Sequence, residues 1–190
     1  MSVLVSSSVF AGVVSVGFSG SRSLPPAASA ALSRLLPLVP AGVRVSVGCA
    51  AGADLACRSF FAGSSSLLVF SVSSGRFGVG RSAFARRSCR CVSSVAAGSR
   101  GLLVVVPAGA CPAGACPAGV VPSRSFSGRG SGSWGSLAFA LGRGRRVLLW
   151  LPAGSRPPVW AGVSWSLSSL PGGCWWLGVP APRVVSLSLF

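Results

Sequence analysis

A chain of 190 residues is long enough for one domain with a sizeable hydrophobic core. Pro, Gly and Ser interrupt its apolar stretches, so none offers the roughly 20 mostly apolar residues of a membrane span. The seven Cys include no Cys-x-x-Cys pair, and the chain has no His, which argues against a zinc site. We therefore predict no membrane partner, no metal and no cofactor.

The net charge of +16 comes from 17 arginines against one acidic residue, Asp54. Such a charge usually indicates a polyanionic partner such as nucleic acid. Apart from Met1 and Asp54, however, every position holds Ala, Val, Leu, Phe, Trp, Cys, Gly, Pro, Ser or Arg. All of these residue types can be encoded without adenine at the first two codon positions, whereas Asp and Glu cannot. The charge therefore follows from adenine-poor codons as readily as from nucleic-acid binding, and our hypothesis is that Asp54 was retained against this restriction.

Short apolar runs predict parallel strands at residues 13–18, 43–47, 67–72, 102–106 and 146–151. Helical segments are predicted between them at 27–36, 55–61, 76–90 and 134–141, the third rich in arginine. This alternation predicts an α/β fold, a Rossmann-like open parallel sheet with helices on both faces. A repeated Pro-Ala-Gly-Ala-Cys predicts a flexible loop at 107–122. We assign residues 10–152 to this domain and expect 153–190, rich in Trp, Pro, Gly and Ser, to be a tail of uncertain structure.

Three turns of small residues each join a strand to a helix. Parallel strands bring such turns together at the carboxyl edge of the sheet, where ligands bind. Glycines let the backbone approach a ligand, free amides at helix N-termini attract phosphate, and arginine offers a fork of donors. The predicted ligand-binding residues are Gly20, Ser21 and Arg22 after the first strand, Gly48, Gly52 and Asp54 after the second, and Ser131, Gly132 and Ser133 before the last helix.

Asp54 has more than one interpretation. As the N-cap of a helix that starts at Leu55 it would contribute about 1 kcal/mol, but Ser, which this alphabet permits, caps equally well. A carboxylate also accepts hydrogen bonds from two ribose hydroxyls, or pairs with an arginine, for which Arg22 and Arg58 are the candidates. We expect a role in ligand binding, with a structural ion pair or a historical relic as the alternatives.

Together these motifs resemble the SLOG superfamily of Rossmann-like nucleotide-binding domains, over about residues 13–151. The resemblance rests on Gly20-Ser21-Arg22, on Gly48-Cys49-Ala50-Ala51-Gly52-Ala53-Asp54, and on the stretch from Ser131 to Ala140. The second motif looks most like the YspA-like branch and is also similar to DNA-processing protein A. The resemblance implies a nucleotide or nucleotide-derived ligand at the carboxyl edge of the sheet, in a sensor or processing module.

The resemblance leaves enzymatic activity undecided. In the Lonely Guy phosphoribohydrolases of this superfamily, a glycine-rich loop is followed by a catalytic Glu, which falls at Ser136 when aligned on Gly132-Ser133. The chain contains no Glu and no His, so it lacks the residues for that route and for a catalytic triad. Asp54 acting alone as base or nucleophile is the remaining route.

Two alternative interpretations stay open. The arginines between residues 76 and 100 and the second motif fit a single-stranded DNA-binding protein that resembles DNA-processing protein A. A reading frame without function in GC-rich DNA would also have a skewed composition, although the ordered motifs argue against it. We expect a cytoplasmic protein, because residues 1–21 lack the basic segment of a secretory signal and the odd number of Cys indicates no disulfide framework. A homo-oligomer is a further open expectation.

Overall fold

The structure, a computed structural model, describes residues 9–117, 125–126 and 131–182. At its centre is a seven-stranded sheet made of Ser15–Gly20 (β1), Arg44–Gly48 (β2), Leu67–Phe70 (β3), Gly98–Val106 (β4), Arg145–Leu151 (β5), Val163–Ser168 (β6) and Cys174–Pro180 (β7). The α-helices are Pro26–Leu35 (α1), Ala53–Phe60 (α2), Arg81–Ser93 (α3) and Gly132–Gly142 (α4). Short 3-10 helices cover Leu36–Leu38 and Val72–Ser74. Among the described residues, no helix combines the length and the apolar character needed to cross a membrane.

The strands lie in the order β3-β2-β1-β4-β5-β7-β6. Strands β1 to β5 run parallel to one another, whereas β7 pairs antiparallel with β5 and with β6. The prediction of an α/β fold with a Rossmann-like open sheet is confirmed. The central strands form where the apolar runs lie, because strands covered by helices on both faces need apolar side chains in both directions.

Helices cover both faces of the sheet, as predicted. On one face, α1 and α2 pack against the strands, with Leu32 of α1 in the same cluster as Val104 of β4. On the other face, Val92 of α3 and Leu137 of α4 pack with Leu103. Neighbouring residues of β4 therefore serve opposite halves of the core, since successive strand side chains point to opposite faces.

The sheet offers α3 a polar and small-residue surface. Ser94, at the end of the helix, donates from Oγ to Ser46 Oγ of β2 at 2.8 Å. A Cβ at Gly17 of β1 would lie 2.6 Å from Val95 Cγ2, so the chain at the end of α3 approaches closely only because position 17 has no side chain. This close approach brings side chains of α3 within reach of the carboxyl edge of the sheet.

The prediction for residues 153–190 differs from the structure over the described part of that segment. Strands β6 and β7 form a hairpin that extends the sheet, with Trp175 paired opposite Trp150 of β5. Trp175 is fully buried, and the sheet therefore continues beyond the boundary expected at residue 152. Over 107–117 the predicted loop contains no helix or strand, while its residues 118–122 lie outside the described part.

Candidate functional site

A cleft of about 1020 Å³ lies between α3 and α4 at the carboxyl edge of the parallel strands. Its walls are the loop after β1, the start of α2, much of α3, the start of α4 and part of the loop after β4. Strands β2 and β3 lie on one side of β1 in the sheet, whereas β4 and β5 lie on its other side. Open α/β sheets bind ligands in the crevice where the strand order reverses in this way.

Most of the predicted ligand-binding residues meet at this cleft. Those that line it are Gly20, Ser21, Arg22, Asp54, Ser131, Gly132 and Ser133. Gly48 and Gly52 do not line it and instead make room for neighbouring groups. Gly52 has a φ of +66°, and a Cβ there would overlap the carbonyl oxygen of Ser21. Because Ala53 N–H donates to that same oxygen at 3.0 Å, the loop after β2 packs directly against the loop after β1.

The predicted serines make local hydrogen bonds. Ser21 Oγ accepts from Ser23 N–H at 3.1 Å and donates to Ser23 O at 2.8 Å. The hydroxyls of Ser131 and Ser133 lie 2.5 Å apart, and Ser131, the N-cap of α4, makes no side-chain capping hydrogen bond. The first amides of a helix have no intrahelical acceptor, and among the described residues the side chain of the N-cap Ser131 does not cap them, which suits an anionic ligand.

Asp54 forms a buried ion pair with Arg87 of α3. Asp54 is 4% exposed, and its Oδ2 lies 2.9 Å from Arg87 Nη1. The same oxygen accepts from Ala50 N–H at 3.1 Å. The N-cap interpretation of Asp54 is wrong, because α2 begins at Ala53 and its N-cap is Gly52. The pair joins α2 on one face of the sheet to α3 on the other.

The two arginines expected beside Asp54 make other contacts, so that part of the prediction is wrong. Arg58 donates from Nη1 to the carbonyl oxygens of Gly48 and Ala50, at 2.7 and 3.1 Å, and so braces the loop after β2. The guanidinium of Arg22 lies over the ring of Phe84, 5.1 Å from its centroid, in a cation–π contact. Both arginines shape the cleft and its supporting loop.

Positive charge dominates the cleft. The arginines that line it are Arg22, Arg81, Arg86, Arg87, Arg90 and Arg143. Asp54 is the only acidic residue of the whole chain, and it already forms an ion pair with Arg87. The other five arginines have no acidic side chain with which to pair, so the cleft attracts anions. With one carboxylate, which is already paired, and no His, the chain offers no acid/base pair made of carboxylates or imidazoles.

Thiols around the site differ in their ionisation. Partial burial raises the pKa of Cys49, but hydrogen bonds involving Val72 and Ser71 and the charge of Arg87 outweigh it, so that this pKa lies below its ordinary value. Burial raises the pKa of Cys91 to about 12. All seven cysteines are free, and within the described residues no group of Cys and Asp side chains could hold a metal ion.

Arg87 belongs to the arginine-rich run between residues 76 and 100, but the sequence analysis did not predict that it pairs with Asp54. Ala83, Arg87 and Cys91 of α3 recur every four residues and are all buried, which places Arg87 on the buried face of the helix. A buried arginine needs acceptors or a counter-charge, and Asp54 is the only acidic side chain that the chain offers. The helical spacing of Arg87 and the single acidic residue in the composition could therefore have predicted this ion pair.

The fold and the cleft define an α/β protein with a Rossmann-like sheet and a cationic crevice where the strand order reverses. Comparison with known protein families, curated proteins and solved structures finds no match. The resemblance to the SLOG superfamily stays a prediction that rests on the three sequence motifs.

Proposed function

We propose that the protein binds a nucleotide or nucleotide-derived ligand in the cleft between α3 and α4. The observation that carries this proposal is the group of six arginines around one carboxylate that is already paired. A neutral ligand would leave these charges facing one another, whereas phosphate groups neutralise them and fit the donor fork of arginine. The first amides of α4, which have no intrahelical acceptor and which the Ser131 side chain does not cap, add further donors for a phosphate.

The size and the aromatic lining of the cleft also support a nucleotide. Small-molecule sites commonly measure about 300–1,000 Å³, so a cleft of about 1020 Å³ has room for one. Phe84 and Phe126 line it; Phe84 is 40% exposed, and Arg22 lies over its ring. Aromatic rings stack on nucleobases. The chain has no Asn, Gln, Glu or His, so hydrogen bonds to the base edge would come from serines, arginines and backbone groups.

A thermal-shift titration tests the proposal, because a ligand that binds only the folded protein raises its melting temperature. The ribonucleoside mono- and triphosphates are compared with tripolyphosphate, a polyanion without a base, at equal ionic strength. We expect at least one nucleotide to stabilise the protein more than tripolyphosphate does. Arg90→Ala, in the cleft wall, should reduce this shift, whereas Arg34→Ala, on the exposed surface of α1, should not. Equal shifts for tripolyphosphate and every nucleotide would contradict the proposal.

Single-stranded DNA binding is a second candidate, favoured by the length of the cleft. The lining runs along α3 from Arg81 to Arg90 and Ser93, and reaches Arg143 at the end of α4. The 13 residues of α3 span about 20 Å at about 1.5 Å per residue, which is long enough for several phosphates of an extended strand. An elongated cationic cleft with aromatic rings is the type of surface that binds single strands.

Fluorescence anisotropy with a labelled oligothymidine tests this second candidate. Contacts to phosphates predict a log–log dependence of affinity on salt, with a slope of about −0.7 per contact. Binding that persists at about 0.2 M salt and against heparin, and that is lost in Arg86→Ser, would favour DNA. Binding that heparin abolishes, and that Arg86→Ser and Arg34→Ser weaken equally, would indicate nonspecific charge attraction and contradict this candidate.

A further inference from the structure

Arg87 reaches both Asp54 and the cleft from the buried face of α3. Its side chain is 9% exposed, and it lines the cleft. It passes over Gly48 at the end of β2, where a Cβ would overlap both Arg87 Nη1 and Asp54 Oδ2. The absence of a side chain at position 48 therefore provides the space in which the two charges meet.

The guanidinium of Arg87 is only partly satisfied. Within the described residues, Nη1 donates to Asp54, and Nε is buried without any hydrogen-bond partner. Nε and Nη2 form one edge of the guanidinium, an edge that can donate to two oxygens of a phosphate at once. A buried charged donor without an acceptor is unfavourable, so an acceptor supplied from the cleft would stabilise this side chain.

Asp54, in contrast, is already engaged as an acceptor through one of its two carboxylate oxygens. Its Oδ2 receives hydrogen bonds from Ala50 N–H and Arg87 Nη1, and its side chain is 5% exposed. Its charge also opposes the repulsion that the other cleft arginines exert on Arg87, because like charges at short range repel. A serine or an asparagine at position 54 would supply no such charge.

We propose that Arg87 binds a phosphate group of the ligand, and that Asp54 is a positioning residue that holds the Arg87 guanidinium at the cleft wall. This inference rests on the proposed function, since it assigns the anion contact within the same cleft. It narrows the ligand class to phosphorylated nucleotides, because a nucleoside lacks the group that Arg87 binds. It also replaces the expectation that Asp54 accepts hydrogen bonds from ribose hydroxyls.

Calorimetric titration with the ribonucleoside monophosphates and their matching nucleosides tests this assignment. The proteins compared are the wild type, Asp54→Asn, Arg87→Gln and the double variant, with Arg34→Gln on the exposed face of α1 as the control. We expect each single variant to weaken monophosphate binding by about 10- to 100-fold, the effect of losing a charge-assisted contact, without changing nucleoside binding. Because both substitutions remove the same contact, the double variant should bind about as weakly as Arg87→Gln alone.

The outcomes separate this inference from the proposed function. Nucleoside binding that falls in Asp54→Asn, or losses that add in the double variant, would place Asp54 in contact with the ligand and overturn the inference. Unchanged monophosphate binding in Arg87→Gln would overturn it as well, while leaving the cleft as a nucleotide site. A wild-type protein that binds none of the monophosphates would overturn the proposed function itself. Should Arg87→Gln fail to fold, Arg87→Lys keeps the charge without the fork, and its monophosphate affinity is expected to fall in the same direction.

Discussion

Substituting Gly48 by alanine should break the Asp54–Arg87 pair without removing either charge. The added Cβ would overlap Arg87 Nη1 and Asp54 Oδ2, so the guanidinium must leave its position. Breaking a buried pair costs about 3–5 kcal/mol. Since the cleft beside Arg87 gives the displaced guanidinium access to solvent, we expect the lower end of that range, about 3 kcal/mol.

Thermal and urea denaturation, followed by far-ultraviolet circular dichroism, measure this loss. In a domain of this size about 3 kcal/mol lowers the melting temperature by about 6–12 °C. The control is Gly109→Ala, because a Cβ at Gly109 meets nothing within 4 Å, and its effect should stay within about 0.5 kcal/mol. Added to Asp54→Asn, the Gly48→Ala change should cost less than it does alone, because the pair is already broken. Equal melting temperatures for Gly48→Ala and Gly109→Ala would refute this account of position 48.

Two further predictions concern the hairpin and the thiols. Trp175→Ala should destabilise the protein by about 3–5 kcal/mol in the same denaturation assay, because the side chain is fully buried. The control, Val159→Ala, should have little effect, because Val159 is fully exposed. Equal stabilities of the two variants would show that the hairpin is not part of the core. Iodoacetamide at pH 8 should modify Cys49 before Cys91. The lowered pKa of Cys49 leaves more reactive thiolate at this pH, whereas burial raises the pKa of Cys91 to about 12. Mass spectrometry of the peptides measures the order of modification, and modification of Cys91 first would contradict the prediction.

The local sequence pattern was enough to predict the five parallel strands of the sheet. Buried runs such as residues 102–106 are apolar throughout, and only strands covered on both faces require that. The hairpin of β6 and β7 was not predicted, because serines separate the apolar residues of β6, so that β6 forms no continuous apolar run, and because glycines precede β7. Val163, Trp165 and Leu167 nevertheless alternate with serines, the period of a half-buried strand. The partner of β7, strand β5, is set by long-range packing that no local window contains.

The sequence predicted those features of the site that depend only on the order and direction of the strands. Parallel strands bring the turns that follow them to one edge, so Ser21 and Ser131 meet at a single cleft although they are far apart in sequence. The partner of Asp54 was not found, because pairing was sought among arginines near the predicted loops. Arg87 lies 33 positions away on another helix, and it reaches Asp54 only because β2 ends in a glycine.

The antiparallel pairing of β5 with β7 has a consequence for the synthesis of the chain. Strand β5 is almost wholly buried, yet one of its edges is covered only by β7, which comes after β6 in the sequence. Until residues 174–180 have been added, a nascent chain presents an apolar strand with one row of unpaired amides and carbonyls. Such an edge recruits strands from other chains. Strand β7 thus covers the apolar edge of β5 and leaves β6, in which serines alternate with apolar residues, at the edge of the sheet. A chain that stops before β7 keeps the apolar edge of β5 open to other chains.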